Sequence, residues 1–218
     1  IEVSIRTGDA VVATGAGKTA GGLATLTLPI PDPHLWSPDD PFLYDVEVRV
    51  AQPDGDRVQS YFGMRSIAMG PGPNGHQRLL LNGEPLFQFG PLDQGWWPDG
   101  LYTAPTDAAL RYDIEMTKKF GFNLARKHVK VEPDRWYYWC DKLGLLVWQD
   151  QPSGMAREKN QSVRAGHADS DFSPEEHEQY MLELRRMIDT CGNHPCIVAW
   201  VPFNEGWGQH QTNEVLAW

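Results

Sequence analysis

The chain contains 218 residues, of which 41% are hydrophobic and 22% charged, and its 19 basic and 29 acidic side chains give a formal net charge of −10. This length allows one or two domains with a sizeable core, and an aromatic content of 11% is atypical of a disordered chain. The negative balance and the lack of a basic run argue against a nucleic-acid partner. The apolar runs fall far short of the ~20 residues that span a bilayer, so no membrane span is expected.

Residues 1–68 show the pattern of a β-rich domain. Short alternating or β-branched runs are separated by clusters of Gly, Pro and Asp, which is typical of an all-β sandwich. These runs occupy residues 2–6, 23–28, 43–50 and 57–67. Residues 69–77 are too rich in Gly and Pro to continue a strand, so the pattern predicts a linker there.

Residues 78–218 change to alternating strands and helices. An Asn-Gly pair at residues 82–83 predicts a tight hairpin at the start of this domain. Thr106 is a predicted helix N-cap, and Ser173 begins the best-marked helix because Pro and Glu follow at its first and third positions. The predicted order is βαβαβαβ, with a further helix from about residue 209. This order requires a parallel sheet, either an open doubly wound sheet or part of a (β/α)8 barrel.

The three cysteines, Cys140, Cys191 and Cys196, form no C-x-x-C pair, and an odd number cannot all pair within one chain. We interpret them as structural thiols; metal ligands or a nucleophile are the alternatives. The first strand-to-helix connection carries no glycine-rich phosphate fingerprint. The sequence therefore predicts neither a metal nor a cofactor.

Polar residues follow each predicted strand of the second domain, where the ligands of parallel α/β sheets bind. They are Asp93 after the first strand, Arg126 and His128 after the second, Asp150 after the third, and Asn204 and Glu205 after the fourth. Tryptophans lie nearby in the sequence. Indole rings stack on the C–H faces of sugars while carboxylates and amides bind the hydroxyls, so this set predicts a carbohydrate site.

The dipeptide Asn204-Glu205 ends an apolar run and is followed two residues later by Trp207. A carboxylate at the mouth of a sheet, with an indole near enough to reduce its solvation, suits a general acid. A surface glutamate that merely solvates the end of a strand is the alternative interpretation. Trp207 either lines the cleft or packs in the core.

The stretch HPCIVAWVPFNE at residues 194–205 resembles the acid/base region of glycoside hydrolase family 2, which contains β-galactosidases, β-glucuronidases and β-mannosidases. Further segments carry the same resemblance. They are WSP at 36–38, YFGMR at 61–65, LNGEP at 81–85, GFNLAR at 121–126 and YWCDKLGLLVWQD at 138–150. The resemblance implies an immunoglobulin-like β-sandwich, incomplete at its N-terminus, followed by the first four βα units of a TIM (β/α)8 barrel.

The resemblance also implies hydrolysis of terminal β-glycosidic bonds by a retaining, two-carboxylate mechanism. It makes Glu205 the general acid/base and Asn204 the partner of the sugar 2-hydroxyl, and it places the nucleophile after a seventh barrel strand, outside this chain. The 218 residues alone are therefore expected to be an inactive piece of a longer enzyme. A non-catalytic carbohydrate-binding or scaffolding protein with a degenerate site is the alternative function.

Four further residues receive roles. Arg126 is expected to orient carboxylates of the site, with Glu205 as one candidate, or else to form a salt bridge on the rim. His128 lies two residues beyond Arg126 where the family has three, so its assigned contact with substrate requires a one-residue shortening; a solvated histidine is the alternative. Asp93 and Asp150 are either acceptors for sugar hydroxyls or structural caps.

Overall fold

The structure is a computed structural model that describes residues 1–153, 169–206 and 208–218. The chain divides into two compact units, Ile1–Leu86 and Phe87–Trp218. Within the described ranges, no helix has the length and apolar character needed to cross a membrane.

The first unit contains a four-stranded antiparallel sheet in the order β2-β1-β3-β4. Its strands are β1 (Glu2–Thr7), β2 (Ala10–Ala16), β3 (Tyr44–Arg49) and β4 (Arg57–Phe62). Ile5 and Tyr44 are buried, and Trp36 is completely buried. Three of the four predicted runs therefore contain strands, and large apolar side chains of these elements form the core.

The predicted strand at residues 23–28 is wrong, because this segment contributes only an isolated bridge at its first residue. Leu26 and Leu28 of this segment instead pack against strand β2. The sequence did not predict that strand. A Cβ atom added to Gly15 would collide with the Leu28 side chain and would lie 3.2 Å from Leu26 Cδ2. Leu26 and Leu28, both half-buried, thus pack on a glycine-containing strand without joining its hydrogen-bond ladder.

A second antiparallel sheet in the first unit has the order β5-β6-β7. Its strands are β5 (Ile67–Pro71), β6 (Gln77–Leu81) and β7 (Glu84–Pro85). Residues 69–77 are therefore not the expected linker, because they form the end of β5, a turn and the start of β6. Pro71 is tolerated because β5 is an edge strand of the described sheet. The division of the chain falls after Leu86, so the domain expected from residue 78 begins at Phe87.

The second unit is built on a four-stranded parallel sheet in the order β11-β10-β9-β8. In chain order its elements are β8 (Leu92–Asp93), α1 (Asp107–Lys119), β9 (Leu124–Lys127), α2 (Asp134–Leu143), β10 (Leu146–Asp150), α3 (Pro174–Cys191), β11 (Ile197–Val201) and α4 (Thr212–Ala217). The predicted alternation and its final helix are confirmed. Because strands adjacent in the chain are adjacent in the sheet, all their carboxyl ends lie along one edge.

Local signals in the sequence account for the ends of these elements. Asn82 and Gly83 have φ values of 54° and 84°, as the predicted hairpin turn requires. The Thr106 side chain accepts a hydrogen bond from Ala109 N at 3.1 Å and caps α1. Ser173 and Glu176 form a complete capping box at the start of α3.

All three cysteines are buried and unpaired. Burial raises the pKa of the Cys140 and Cys196 thiols, so both stay protonated at neutral pH. A protonated thiol is a poor nucleophile and a poor metal ligand. The interpretation of Cys140 and Cys196 as structural thiols agrees with these surroundings.

Replacing Ser173 with alanine should destabilise the second unit by about 1 kcal/mol, because α3 loses its N-cap and half of the capping box. Urea denaturation followed by tryptophan fluorescence measures this, since eight of the nine tryptophans lie beyond residue 87. Ser170→Ala removes a hydroxyl just outside the helix and serves as the control. A midpoint unchanged by Ser173→Ala would contradict the prediction.

Candidate active site

The carboxyl edge of the parallel sheet brings five of the predicted residues to the ends of four neighbouring strands. Asp93 ends β8, Arg126 lies in β9, Asp150 ends β10, and Asn204 and Glu205 follow β11. His128 comes directly after β9, whereas Trp207 lies outside the described residues. Residues 154–168, which follow β10 in the chain, lie outside them as well.

Arg126 joins the ends of three strands. Its Nε donates to Asp150 Oδ1 at 2.9 Å, and its Nη2 donates to Asp150 Oδ2 and to Asn204 Oδ1, both at 2.9 Å. Asp150 is fully buried and Asn204 is 1% exposed. Arg126 is paired with Trp148 in the sheet, so its side chain shares a face with Asp150, two residues along β10. A planar guanidinium suits this two-point binding of a carboxylate, and its Nη2 also binds the Asn204 amide oxygen.

This arrangement fixes the orientation of the Asn204 amide. Arg126 can only donate, so the amide atom facing it must be Oδ1, and Nδ2 points away from it. Asn204 Nδ2 is buried and has no hydrogen-bond partner among the described residues. An unsatisfied buried donor costs about 1–3 kcal/mol, which a ligand with an acceptor oxygen would recover.

Glu205 is exposed and has a backbone φ of 51°, the left-handed conformation that non-glycine residues adopt rarely. The low solvation expected for its carboxylate is not seen in the described part of the chain. Arg126 does orient a carboxylate, but that carboxylate is Asp150 and not Glu205. The positive φ turns the chain sharply directly after Asn204, so the two side chains of the dipeptide are presented differently, one buried and one open to solvent.

Asp93 does not join the Arg126 cluster. Its Oδ2 accepts from Lys127 Nζ at 2.6 Å and its Oδ1 accepts from Gly95 N at 2.8 Å. Lys127 follows Arg126 in β9 and therefore points to the other face of the sheet. Of the two predicted roles for Asp93, these contacts favour the structural one. His128 is half-buried, and its backbone N donates to Asp93 O at 2.9 Å.

The sequence reasoning missed a buried ionic cluster on this second face. Lys127 Nζ lies 2.8 Å from Glu132 Oε1, and Lys130 Nζ lies 2.9 Å from the same oxygen. Lys130 also donates to the carbonyls of Gly95 and Tyr102 at 2.8 and 2.9 Å. With Asp93 the cluster holds two positive and two negative charges, so burial leaves no net charge. In the sequence, the available signal for this cluster was the group of charged residues, Lys127, Lys130 and Glu132, at and directly after the end of β9.

Two glutamines beside Asp150 received no role from the sequence. Gln149 is fully buried and its Oε1 accepts from the Tyr137 hydroxyl at 2.6 Å, while its Nε2 donates to Lys130 O at 2.7 Å. Gln151 is buried as well, but its Oε1 has no partner among the described residues, and neither does the hydroxyl of Ser153. Unsatisfied buried polar atoms are therefore found in the residues that follow β10 and in those that follow β11.

The loop that carries Asn204 and Glu205 ends in a buried histidine. His210 Nδ1 donates to Gly208 O at 2.7 Å, its Nε2 lies 3.0 Å from His177 Nδ1, and its ring stacks on Phe172 with centroids 3.9 Å apart. Burial lowers the pKa of His210, and the charge of His177 lowers it further. The hydrogen bond to Gly208 O and the carboxylates of Asp169 and Glu176 raise the pKa. On balance the pKa of His210 is lowered, so the imidazole is neutral at pH 7.

The described residues contain no group of three or more His, Cys, Asp or Glu side chains placed to hold a metal ion. What the sheet edge offers is an amide donor, unsatisfied acceptors and an exposed carboxylate. Hydroxyl groups both donate and accept, so a polyhydroxylated ligand matches this set better than a purely anionic or apolar one.

Comparison with known protein families agrees with this chemistry. The model for glycosyl hydrolases family 2 matches residues 2–65, and the model for the family 2 TIM barrel domain matches residues 100–218, more than half of the chain. The chain belongs to glycosyl hydrolase family 2. The predicted resemblance is thereby confirmed, and the α/β unit corresponds to the barrel region of the family.

Individual relatives are longer. This family 2 chain is 29% identical over 184 residues to a β-galactosidase of Vibrio cholerae and 27% identical over 202 residues to a putative β-glucuronidase of Formosa agariphila. The matches cover 82% and 89% of this chain but only 17% and 18% of those proteins, so it spans about one sixth of their length. A β-D-glucuronidase structure from Dictyoglomus thermophilum superposes with a TM-score of 0.76 at 21% identity, covering 92% of this chain and 33% of that one, which shows a shared fold.

Replacing Arg126 with methionine should destabilise the protein by about 3–5 kcal/mol, because the fully buried Asp150 carboxylate loses its counter-charge. Adding Asp150→Asn should recover part of this loss. Urea denaturation of the two single variants and the double variant gives the coupling energy.

The matched control is Arg135→Met, which removes a similar two-point pair with Asp107 at 2.9 and 3.0 Å that is exposed to solvent. Although Arg135 also stacks on Tyr138, its loss should be the smaller one. Additive effects of the Arg126 and Asp150 substitutions would contradict the prediction.

The stability of the protein should also depend on the protonation of His210. Because burial lowers the pKa of His210 below its ordinary value of 6.5, the unfolded chain takes up a proton that the folded chain resists. This contribution to stability is complete above about pH 6.5 and is lost as the pH falls. His210→Phe should remove that pH dependence, measured by urea denaturation between pH 5 and pH 8. His76→Phe, at an exposed hairpin turn, is the control, and parallel curves for wild type and His210→Phe would refute the prediction.

Proposed function

We propose that the full-length protein containing this chain hydrolyses terminal β-glycosidic bonds by a retaining, two-carboxylate mechanism. Glu205 acts as the general acid/base, and the nucleophile is a second carboxylate, about 5–5.5 Å away, in a segment outside these 218 residues. In this proposal the first unit is part of an immunoglobulin-like sandwich and the second unit supplies the first four βα units of a TIM barrel. The names of the relatives favour a β-galactoside or a β-glucuronide as the substrate.

The observation that carries the proposal is the state of Asn204. Its amide is held by Arg126, its Nδ2 is buried without a partner in the described part of the chain, and the next residue is a solvent-accessible carboxylate. A sugar hydroxyl accepting from Nδ2 would sit beside Glu205. This is the relation that the acid/base needs to the 2-hydroxyl and the neighbouring glycosidic oxygen.

Each step assigns one task to Glu205. In the first step its carboxyl group donates a proton to the glycosidic oxygen while the nucleophile attacks the anomeric carbon, so the leaving alcohol departs neutral. In the second step the Glu205 carboxylate takes a proton from water as the water attacks the glycosyl-enzyme. Both steps require access to the leaving group and then to water, and the exposure of Glu205 provides that access.

The other predicted residues act around this pair. Asp150 holds Arg126, and Arg126 holds Asn204, so both act through the protein. Asp93 supports the site indirectly, because its contacts with Gly95 and Lys127 hold the loop after β8. His128 contacts the substrate, an assignment that comes from the family resemblance. Trp207, which the sequence places either in the cleft or in the core, lies outside the described residues.

Replacing Glu205 with glutamine in the full-length protein should lower kcat/KM about 10²- to 10⁴-fold for methyl β-glycosides, whose leaving groups need protonation. The 2,4-dinitrophenyl β-glycosides need no proton in the first step, so their kcat/KM should stay close to the wild-type value. Galactosyl, glucuronyl and mannosyl substrates are compared, and NMR identifies the first-formed anomer of the product. Glu214→Gln, in the next helix, is the matched control.

An equal loss on both classes of leaving group would refute the acid/base role of Glu205. A first-formed product of inverted configuration would refute the retaining mechanism. A full-length wild type that binds β-glycosides but hydrolyses none would identify the alternative, a carbohydrate-binding protein with a degenerate site.

A further inference from the structure

We propose that helix α3 positions the acid/base loop by a two-point clamp, in which Tyr180 holds one end of residues 202–210 and His177 holds the other through His210. The proposal rests on the proposed function of Glu205, and it assigns positioning roles to residues far from that glutamate in the sequence. Neither Tyr180 nor His177 contacts the substrate in this account. They act by fixing the backbone that carries Glu205, whereas the Asn204 side chain is held separately by Arg126.

The first end of the loop is held by a tyrosine. Tyr180 is buried, and its hydroxyl donates to Pro202 O at 2.5 Å, two residues before Asn204. Its ring also stacks on Phe203, with centroids 5.4 Å apart and planes inclined by 11°. The residues directly preceding the Asn-Glu pair are thus held by a hydrogen bond and by a ring contact.

The second end is held by the histidine pair. His177 precedes Tyr180 by three positions, so the two side chains lie on the same face of α3, one turn apart. His177 Nδ1 lies 3.0 Å from His210 Nε2, and His210 in turn donates from Nδ1 to Gly208 O at 2.7 Å. The His210 ring also meets the rings of Tyr180 and Phe203 edge-on, at 4.9 and 5.6 Å.

The proton positions in this chain of contacts follow from chemistry. Gly208 O can only accept, so His210 carries its proton on Nδ1 and, when neutral, accepts at Nε2. His177 must then donate from Nδ1. A proton added to His177 Nε2 keeps the hydrogen bond between the two histidines. A proton added to His210 Nε2 instead leaves two N–H donors facing each other, unless His177 gives up its Nδ1 proton. Asp169 and Glu176 are the carboxylates whose charge acts on His210.

The loop between the two ends needs such support. Glu205, within the loop, has a φ of 51°, and Gln211, directly after it, has a φ of 41°. Non-glycine residues keep such conformations only when the surroundings enforce them. Tyr180, Leu184 and Met187 of α3 pack with Val215 of α4 in one buried cluster, so the helix is a firm base. A glutamate displaced by even 1 Å from the glycosidic oxygen would lose much of its effect as an acid.

The test uses the full-length protein with Tyr180→Phe, which removes the hydroxyl alone, and His177→Leu, which removes the donor. Each should lower kcat/KM about tenfold for methyl β-glycosides and by less than about twofold for 2,4-dinitrophenyl β-glycosides. His177→Asn, which keeps a donor near the position of Nδ1, should restore most of the activity. In a Glu205→Gln background the clamp substitutions should have no further effect on either substrate class.

Tyr112→Phe and His76→Leu, at exposed positions outside the site, are the matched controls. Hydrogen exchange of a peptide covering residues 202–211 provides a second readout that does not depend on activity. It should become faster in Tyr180→Phe and His177→Leu, while a peptide from β10 stays unchanged.

The possible outcomes separate the two proposals. Equal losses on both substrate classes, or unchanged exchange of residues 202–211, would overturn the clamp and leave the proposed function standing. A wild type that hydrolyses no β-glycoside would overturn the proposed function, and with it the catalytic role of the clamp.

Discussion

The bond between the Arg126 guanidinium and the Asp150 carboxylate is the interaction on which the edge of the parallel sheet depends. It ties together side chains from neighbouring strands and leaves one nitrogen shared with Asn204. A buried carboxylate tolerates this position only because the planar cation meets both of its oxygens. The same geometry decides which way the Asn204 amide faces, so the feature that makes the edge stable also leaves one of its donors available. The pairing that satisfies Asp150 therefore also leaves Asn204 Nδ2 without a partner among the described residues.

The two faces of strand β9 have different roles. Arg126 points to the face that carries the candidate site, and Lys127, the next residue, points into the ionic cluster under the loop after β8. The alternation of a β-strand thus separates a polar set that is open to a ligand from one that is closed on itself. The arrangement lets the protein keep several charges buried near the site without leaving a net charge there.

Local patterns in the sequence predicted the elements well where one physical requirement dominated. The capping box at Ser173 and the positive φ values at residues 82–83 are of this kind, because few other residues satisfy those backbone conditions. The sequence predicted that the candidate residues lie at the strand ends, where the structure has them, but the partners of Arg126 and Asp93 depend on which face each side chain takes. The contact between His177 and His210 spans 33 positions and follows no local pattern. The leucines at residues 23–28 alternate like a strand and yet satisfy that alternation by packing alone.

The ionic cluster below β8 has a consequence for how the mouth of the site can change. Asp93 and Gly95 are each anchored by a buried lysine, one through its side chain and the other through its carbonyl. Gln94 lies between these two fixed points and is exposed. A residue mounted in this way can be exchanged without moving the backbone on either side. The ionic cluster therefore holds the backbone on both sides of position 94. A substitution there changes the side chain exposed at this edge of the sheet while the surrounding fold is retained.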